Sequence, residues 1–490
     1  METIRGRAGP RSRSAVAERA PERVLLPFLW TGCGGVLLLA LMLGGGTRQG
    51  LWPDAVVQLA SLPLLGAALL LLPKANANIQ GRAALRLLMA IAFFPLVQLI
   101  PLPPYIWTTL PGRTDFAAAY AEVGMALPWL GISLSPPTTW RTTLSLLPAA
   151  AVFVSVILLG QKARRALTLG LIAFGFVSVL LGLAQLAQGP GSGLRFHDVT
   201  NPTEAVGFFA NRNHFAALLY VVLLLTAAWA VGVAADRRPE MLVGVSLCLL
   251  VFASLLLGLG MARSRSGLML AMLAGLASVL LAWRARGSPA TRRGYRFVFV
   301  GGLAGAFLVL QFGSLGILQR LDMSIAEDLR WEFTSVTADI AGGFQPPGSG
   351  LGTFQPIYRM HEDIERLRPT YVNHAHNDYV ELVLEGGWPA VILMAGFFIW
   401  LAFVSMRVWR NSRPGHAGAI DVALPRAAMI AVVLLCLHSA VDYPLRTTAL
   451  STLFALCCAL MVPPLRADYA PRPPRRHRRE PPRLLSAAAG

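Results

Sequence analysis

Of 490 residues, 55% are hydrophobic and only 14% charged, with a mean hydropathy of +0.57; this excludes a set of soluble domains and points to an integral membrane protein. The formal net charge of +18 raises nucleic acid as a partner. The basic residues, however, alternate along the chain with apolar runs, so the charge reads as a topology signal beside membrane lipid, and no nucleic acid is expected.

Apolar runs of about twenty residues can cross a hydrocarbon core of about 30 Å. After a basic tail over 1–23, nine such runs are expected within 24–313, at 24–46, 51–73, 84–107, 143–160, 166–188, 214–235, 241–261, 266–283 and 296–313. A long polar loop over 314–386 follows, then three more runs at 387–406, 427–442 and 447–463, and a Pro/Arg-rich basic tail over 464–490. The first run is too long for the apolar part of a secretion signal, and Gly44-Gly45-Gly46 is a poor cleavage site, so an uncleaved first span is expected. The architecture this predicts is all-α, a polytopic membrane protein of about twelve transmembrane helices with a helical cap.

Basic side chains orient the spans. Lys74, Arg82 and Arg86; Lys162, Arg164 and Arg165; Arg237 and Arg238; Arg284, Arg286, Arg292 and Arg293; and Arg407, Arg410 and Arg413 occupy alternate connections. The positive-inside bias then puts both termini in the cytoplasm and the other loops outside. The outer loops are 108–142, whose only acids are Asp115 and Glu122, then 189–213, then 314–386. Within the last, Ile325 to Ile340 is expected as an amphipathic helix, Pro346 to Gly352 as a turn, and 356–368 as a second short helix. Six of the eight histidines, at 197, 214, 361, 374, 376 and 438, fall on or near this outer face, which points to a site there. All five cysteines lie in expected spans, so neither disulfides nor a thiolate metal site is expected.

The densest polar stretch is Asn373-His374-Ala375-His376-Asn377-Asp378-Tyr379, with Glu381 and Glu385 beyond it. Such side chains at a bilayer surface are costly and mark function. Histidine titrates near neutrality and suits a general base; two imidazoles and a carboxylate also suit Zn²⁺ or Mn²⁺. The two imidazoles are not expected to share one role: one of the pair is expected to support the site or bind the donor. Arg263 and Arg265 sit in a short outer turn, against the positive-inside bias, and guanidinium forks pair well with phosphate oxygens.

Several of these marks occur together in one known family. Asn211-Arg212-Asn213-His214, Ser264-Arg265-Ser266-Gly267, Arg330-Trp331, Gly348-x-Gly350-x-Gly352, His374-x-His376-Asn377 and His438-Ser439 with Asp442-Tyr443-Pro444 resemble the O-antigen ligase and polymerase family of bacterial inner-membrane glycosyltransferases, over about 205–450. In the ligase motif that begins at the His-Asn pair, His376, Asn377 and Gly387 fit, and the last place holds Ala390.

The resemblance implies a fold of the membrane glycosyltransferase type called GT-C, with a periplasmic cap. It implies transfer of a glycan from undecaprenyl diphosphate to a sugar hydroxyl, on the lipid A core or on a growing polysaccharide, without a metal or other cofactor. The roles that follow are His376 as base and Arg265 and Arg330 as the diphosphate clamp. Arg263, Arg212, His374, Asn377, Asn213 and Trp331 are expected to touch substrate. A pair between Asp442 and Arg446 is expected at the interface. Twelve spans also suit a lipid-linked oligosaccharide flippase, but nearly charge-free spans and a single long outer loop favour an enzyme.

Overall fold

The structure is a computed structural model, and it describes residues 20–48, 52–75, 78–235, 240–284, 299, 325–362, 365, 372–410 and 418–465. Its helices are α1 (Ala20–Leu43), α2 (Trp52–Leu71), α3 (Ile79–Gln98), α4 (Pro104–Trp107), α5 (Thr114–Glu122), α6 (Pro136–Leu158), α7 (Gln161–Gln188) and α8 (Arg212–Ala235). There follow α9 (Met241–Ala262), α10 (Arg265–Arg284), α11 (Ile325–Gly342), α12 (Phe354–Met360), α13 (Asp378–Arg410), α14 (Ala419–Ser439) and α15 (Thr448–Met461). Among the described residues the only strand-like pairing is an isolated bridge between Leu102 and Leu130. The protein is all-helical and polytopic.

Ten of these helices are long and apolar enough to cross a membrane, and α15, at 14 residues, is a shorter apolar one. The ninth expected run, 296–313, and both tails beyond 20 and 465 lie outside the described residues, apart from Phe299. The third span is displaced from its expected place: α3 runs 79–98, not 84–107. Asn78 caps its start through a bond from the Gly81 N–H at 2.8 Å, and the prolines at 101, 103 and 104 break the chain where a longer helix was expected.

At the centre stands α8. Every residue from Asn213 to Ala228 is buried, as expected of a helix apolar all round. It packs against α7, α9, α10 and α14, while α6 gathers α1, α2, α3 and α15 around itself. The antiparallel order brings the start of α8, the α9–α10 turn, the start of α13 and the end of α14 to one end of the bundle, which we call the cap end.

The cap has its own small core, with Ile340 and Phe344 from α11 and its exit, Phe354, Ile357 and Tyr358 from α12, and Ala375 and Leu384. Its loop is stitched down at Gly348, Gly350 and Gly352, all at positive φ. A methyl group at these three positions would meet, respectively, Glu385 O at 2.5 Å, Ser133 Cα at 2.6 Å and Thr142 Oγ1 at 2.4 Å. The glycine spacing therefore serves close backbone approach, the turn expected from sequence. Buried Gln98 donates to Glu385 O (3.1 Å) and accepts from Leu351 N (2.9 Å), tying α3 to the same loop. Arg113, fully buried, donates to the carbonyls of Pro111 (2.8 Å), Ile132 and Gly348 (2.8 Å), which pins the first outer loop to the cap.

Candidate functional site

His376 lies between Ala375 and the start of α13 and holds the left-handed backbone, at φ 53°. Few residues other than glycine adopt it, and such positions collect at functional sites. Its Nδ1 is 3.1 Å from Asp442 Oδ1, just past the end of α14. The other oxygen of Asp442 accepts from Asn213 Nδ2 at 2.5 Å, and Asn213 Oδ1 accepts from Ser264 Oγ at 2.7 Å. Ser264 Oγ in turn accepts from Gly267 N at 3.0 Å, which fixes the α9–α10 turn. One chain of hydrogen bonds thus joins the cap, α8, the α9–α10 turn and the end of α14.

Asp442 is fully buried. Burial pushes its carboxyl up, but the hydrogen bond from His376 and the charges of Arg330 and His376 outweigh that and hold it well below the usual carboxylate range. An ionised Asp442 accepts the Nδ1 proton of His376. The lone pair of the neutral ring is then on Nε2, the arrangement of an oriented general base. Phe333 stacks on the His376 ring at 6.2 Å and Tyr443 meets it edge-on at 4.9 Å.

Tyr443 is the hub between imidazoles, 4.3 Å from His374 and 5.0 Å from His214. His374 turns to a different partner: its Nδ1 lies 2.9 Å from Glu381 Oε1, and Glu381 Oε2 also takes the Ala375 N–H at 2.9 Å. Glu381 belongs to a row of carboxylates, Asp378, Glu381 and Glu385, one face of the first turns of α13. All three surround Arg446, at 3.4, 3.4 and 2.6 Å. Burial disfavours the Arg446 charge, but these carboxylates raise the guanidinium above its ordinary value.

This corrects the expected pair of Asp442 with Arg446. Asp442 serves His376 and Asn213, and Arg446 serves α13. Helix α14 ends at Ser439, so a spacing of four residues no longer places the two on one face. The carboxylate row carried a signal that could have identified its partner, since 378, 381 and 385 repeat as i, i+3 and i+7.

The other expected residues divide in two groups. Arg265 opens α10 between Ser264, bonded to Asn213, and Ser266, whose Oγ is 3.3 Å from His438 Nε2. Arg330, on α11, lies close enough to Asp442 and Tyr443 for its charge to act on both. Asn213 is inside the network. Arg212 instead pairs with Glu204 at 2.5 Å, and Asn377 caps α13, accepting from Tyr379 N (3.1 Å) and donating to Ala440 O (3.0 Å). Arg263 is exposed at the C-cap of α9, and Trp331 is 75% exposed. His438, in the last turn of α14, meets Tyr220 OH at 3.2 Å. Of the six outer histidines, His197 and His361 bond local carbonyls, at Phe208 and Ile357, and the other four gather near Asp442. Among the described residues no group of three or more His, Cys, Asp or Glu is placed to hold a metal ion.

Comparison with known proteins finds one family model that matches part of the chain. Residues 249–395 match the family model described as O-antigen ligase (Wzy_C), a stretch that contains Arg263, Arg265, Arg330, His374 and His376. No curated protein matches the chain. Asn213 and Asp442 lie outside the matched stretch, yet hydrogen-bond into it at Ser264 and His376. That match and the motifs gathered at the cap end support a place for the chain in the O-antigen ligase and polymerase family.

Proposed function

We propose that the protein transfers a glycan from undecaprenyl diphosphate to a sugar hydroxyl at the periplasmic face of the bacterial inner membrane. The observation that supports this most is the His376–Asp442 pair at 3.1 Å, an oriented base at the cap end, with Arg330 near enough for its charge to act on Asp442. The end of the bundle away from the cap carries Arg82, Arg86, Lys162, Arg164, Arg165, Arg407 and Arg410, which supports a cytoplasmic far end and a periplasmic cap.

In this reading Nε2 of His376 takes the proton of the acceptor hydroxyl as its oxygen attacks the anomeric carbon. The bond from that carbon to the diphosphate oxygen breaks, and its electron pair leaves with undecaprenyl diphosphate. Attack from the face opposite the leaving group inverts the centre. Arg265 and Arg330 neutralise the departing charge, so the displacement needs no metal ion. Asn213 and His374 support this centre through Asp442 and Tyr443. Arg263 and Trp331 are placed to touch the glycan from exposed positions, whereas Arg212 and Asn377 act by shaping the walls.

The acceptor is the lipid A core if the enzyme is a ligase. Ala390, which departs from the ligase motif, favours a second reading as a repeat-unit polymerase of O-antigen or exopolysaccharide. Deleting the gene and running surface glycans on a gel separates them. Bare core with long lipid-linked chains accumulating identifies a ligase; a single repeat on the core identifies an O-antigen polymerase; loss of an exported polysaccharide with intact lipopolysaccharide identifies an exopolysaccharide polymerase. Wild-type complementation restores the profile, and His376→Ala or Arg265→Ala at normal membrane abundance leaves it defective. An unchanged profile on deletion would overturn the proposal.

A further inference from the structure

A second set of polar groups reaches Asp442 from within the bundle. Tyr220 lies on α8 two turns beyond Asn213 and on the same face. Its hydroxyl is 3.2 Å from His438 Nδ1, and His438 Nε2 is 3.3 Å from Ser266 Oγ. Ser266 Oγ is 3.5 Å from Ser264 Oγ, which is bonded to Asn213. Tyr220 and His438 are fully buried. The set leaves α8 at Tyr220, passes the end of α14 and the α9–α10 turn, and returns to α8 at Asn213.

Donors and acceptors along it allow one direction. An ionised Asp442 only accepts, so Asn213 faces it with Nδ2 and turns Oδ1 toward Ser264. Ser264 gives its single proton to that oxygen and takes bonds from Gly267 N and Ser266. Ser266 has one proton for two neighbours, Ser264 and His438 Nε2. Tyr220 decides between them. Were Ser266 to donate to Nε2, a neutral His438 would carry its proton on Nδ1 and donate to Tyr220. The Tyr220 proton would then have no acceptor among the described residues, and the same holds for a charged ring, which donates from both nitrogens. A buried hydroxyl proton without an acceptor is costly. With the ring proton on Nε2 every donor is matched: Tyr220 to Nδ1, Nε2 to Ser266, and Ser266 to Ser264.

We infer that Tyr220, His438 and Ser266 are positioning residues for the base: they start a series of hydrogen bonds, all pointing toward Asp442, that keeps His376 in its Nδ1–H form. The inference rests on His376 as the base and extends its support to three residues that do not touch its ring. Aligned donors polarise one another and draw carboxylate charge away from His376, which lowers the affinity of the ring for a second proton. The base must be neutral to act, so the acid limb of kcat/KM against pH reads this effect.

Glycan transfer by the purified full chain in liposomes, followed against pH, tests the series. Ser266→Ala should move the acid limb up by about half a pH unit, and Ser266→Thr, which keeps the hydroxyl, should return it. Tyr220→Phe should move it the same way by less. Arg330, His214, His374 and Tyr443 also surround this centre and are the same in every variant. Nitrogen-15 spectra of histidine-labelled protein in nanodiscs, taken above the acid limb, give a second readout. The signal lost in His438→Gln should be that of a neutral ring protonated on Nε2, and the one lost in His376→Ala that of a neutral ring protonated on Nδ1. An unmoved limb in Ser266→Ala, with or without a fall in rate, would mark a packing role and overturn the inference. A shift that Ser266→Thr fails to reverse, or a His438 ring that is charged or protonated on Nδ1, would overturn it too. Each of these results leaves His376 standing as the base, whereas wild-type transfer by His376→Ala would remove the base reading and this series with it.

Discussion

Asp442 places one oxygen against His376 and the other against Asn213, so a single carboxylate orients that imidazole and ties α8 to the cap. Its depressed pKa has a defined sign. A carboxyl held below its unfolded value, about 3.9, adds stability that is complete above that value and vanishes as pH falls through the folded one. The Tm difference between wild type and Asp442→Asn should therefore stay constant from pH of about 8 to about 5 and shrink below about 4. A difference that instead shrank between pH 8 and 5 would show that Asp442 titrates near neutrality. His376 was legible in the sequence from its His-Asn motif. Asp442 was visible as a motif residue, but its partner was not, because the chain leaves the helix at Ser439 and turns the side chain toward a residue 66 positions earlier.

At the scale of elements, α13 is two helical pieces joined at Gly387, whose φ of 59° lets the first piece carry the carboxylates and the second cross the membrane. A methyl group there would stand 2.1 Å from Pro346 O, whereas at Gly396, further along the same helix, the nearest neighbour is Leu87 Cδ1 at 3.9 Å. Gly387→Ala is expected to cost about 1–3 kcal/mol and lower the Tm in detergent, with Gly396→Ala neutral or slightly stabilising. Equal Tm values for the two variants would contradict the account of the break. The sequence reading starts a span at 387, where the helix breaks, but could not show that 378–386 is helical too, since its polar face looks like loop until Arg446 is known to fill it. The third span was misjudged for a related reason: hydropathy continues through the prolines after Gln98 although the helix cannot.

At the scale of the whole molecule, the bundle works as a frame that delivers short polar pieces to one end. The central helix α8, buried all round, presents Asn213 at its start; the α9–α10 turn presents Arg265 and its serines; the cap presents Arg330 and His376; and α14 ends just before Asp442. Composition alone made the membrane class and most spans legible, because about twenty apolar residues per crossing is a requirement of the bilayer. Which loops would meet was not legible, because that depends on packing between helices far apart in sequence. The most direct test of their joint role is the rate of glycan transfer from an undecaprenyl-diphosphate-linked glycan by the purified chain in liposomes. The account predicts that His376→Ala lowers that rate by on the order of 10²–10⁴ while donor binding is unchanged; transfer at the wild-type rate by that variant would contradict it.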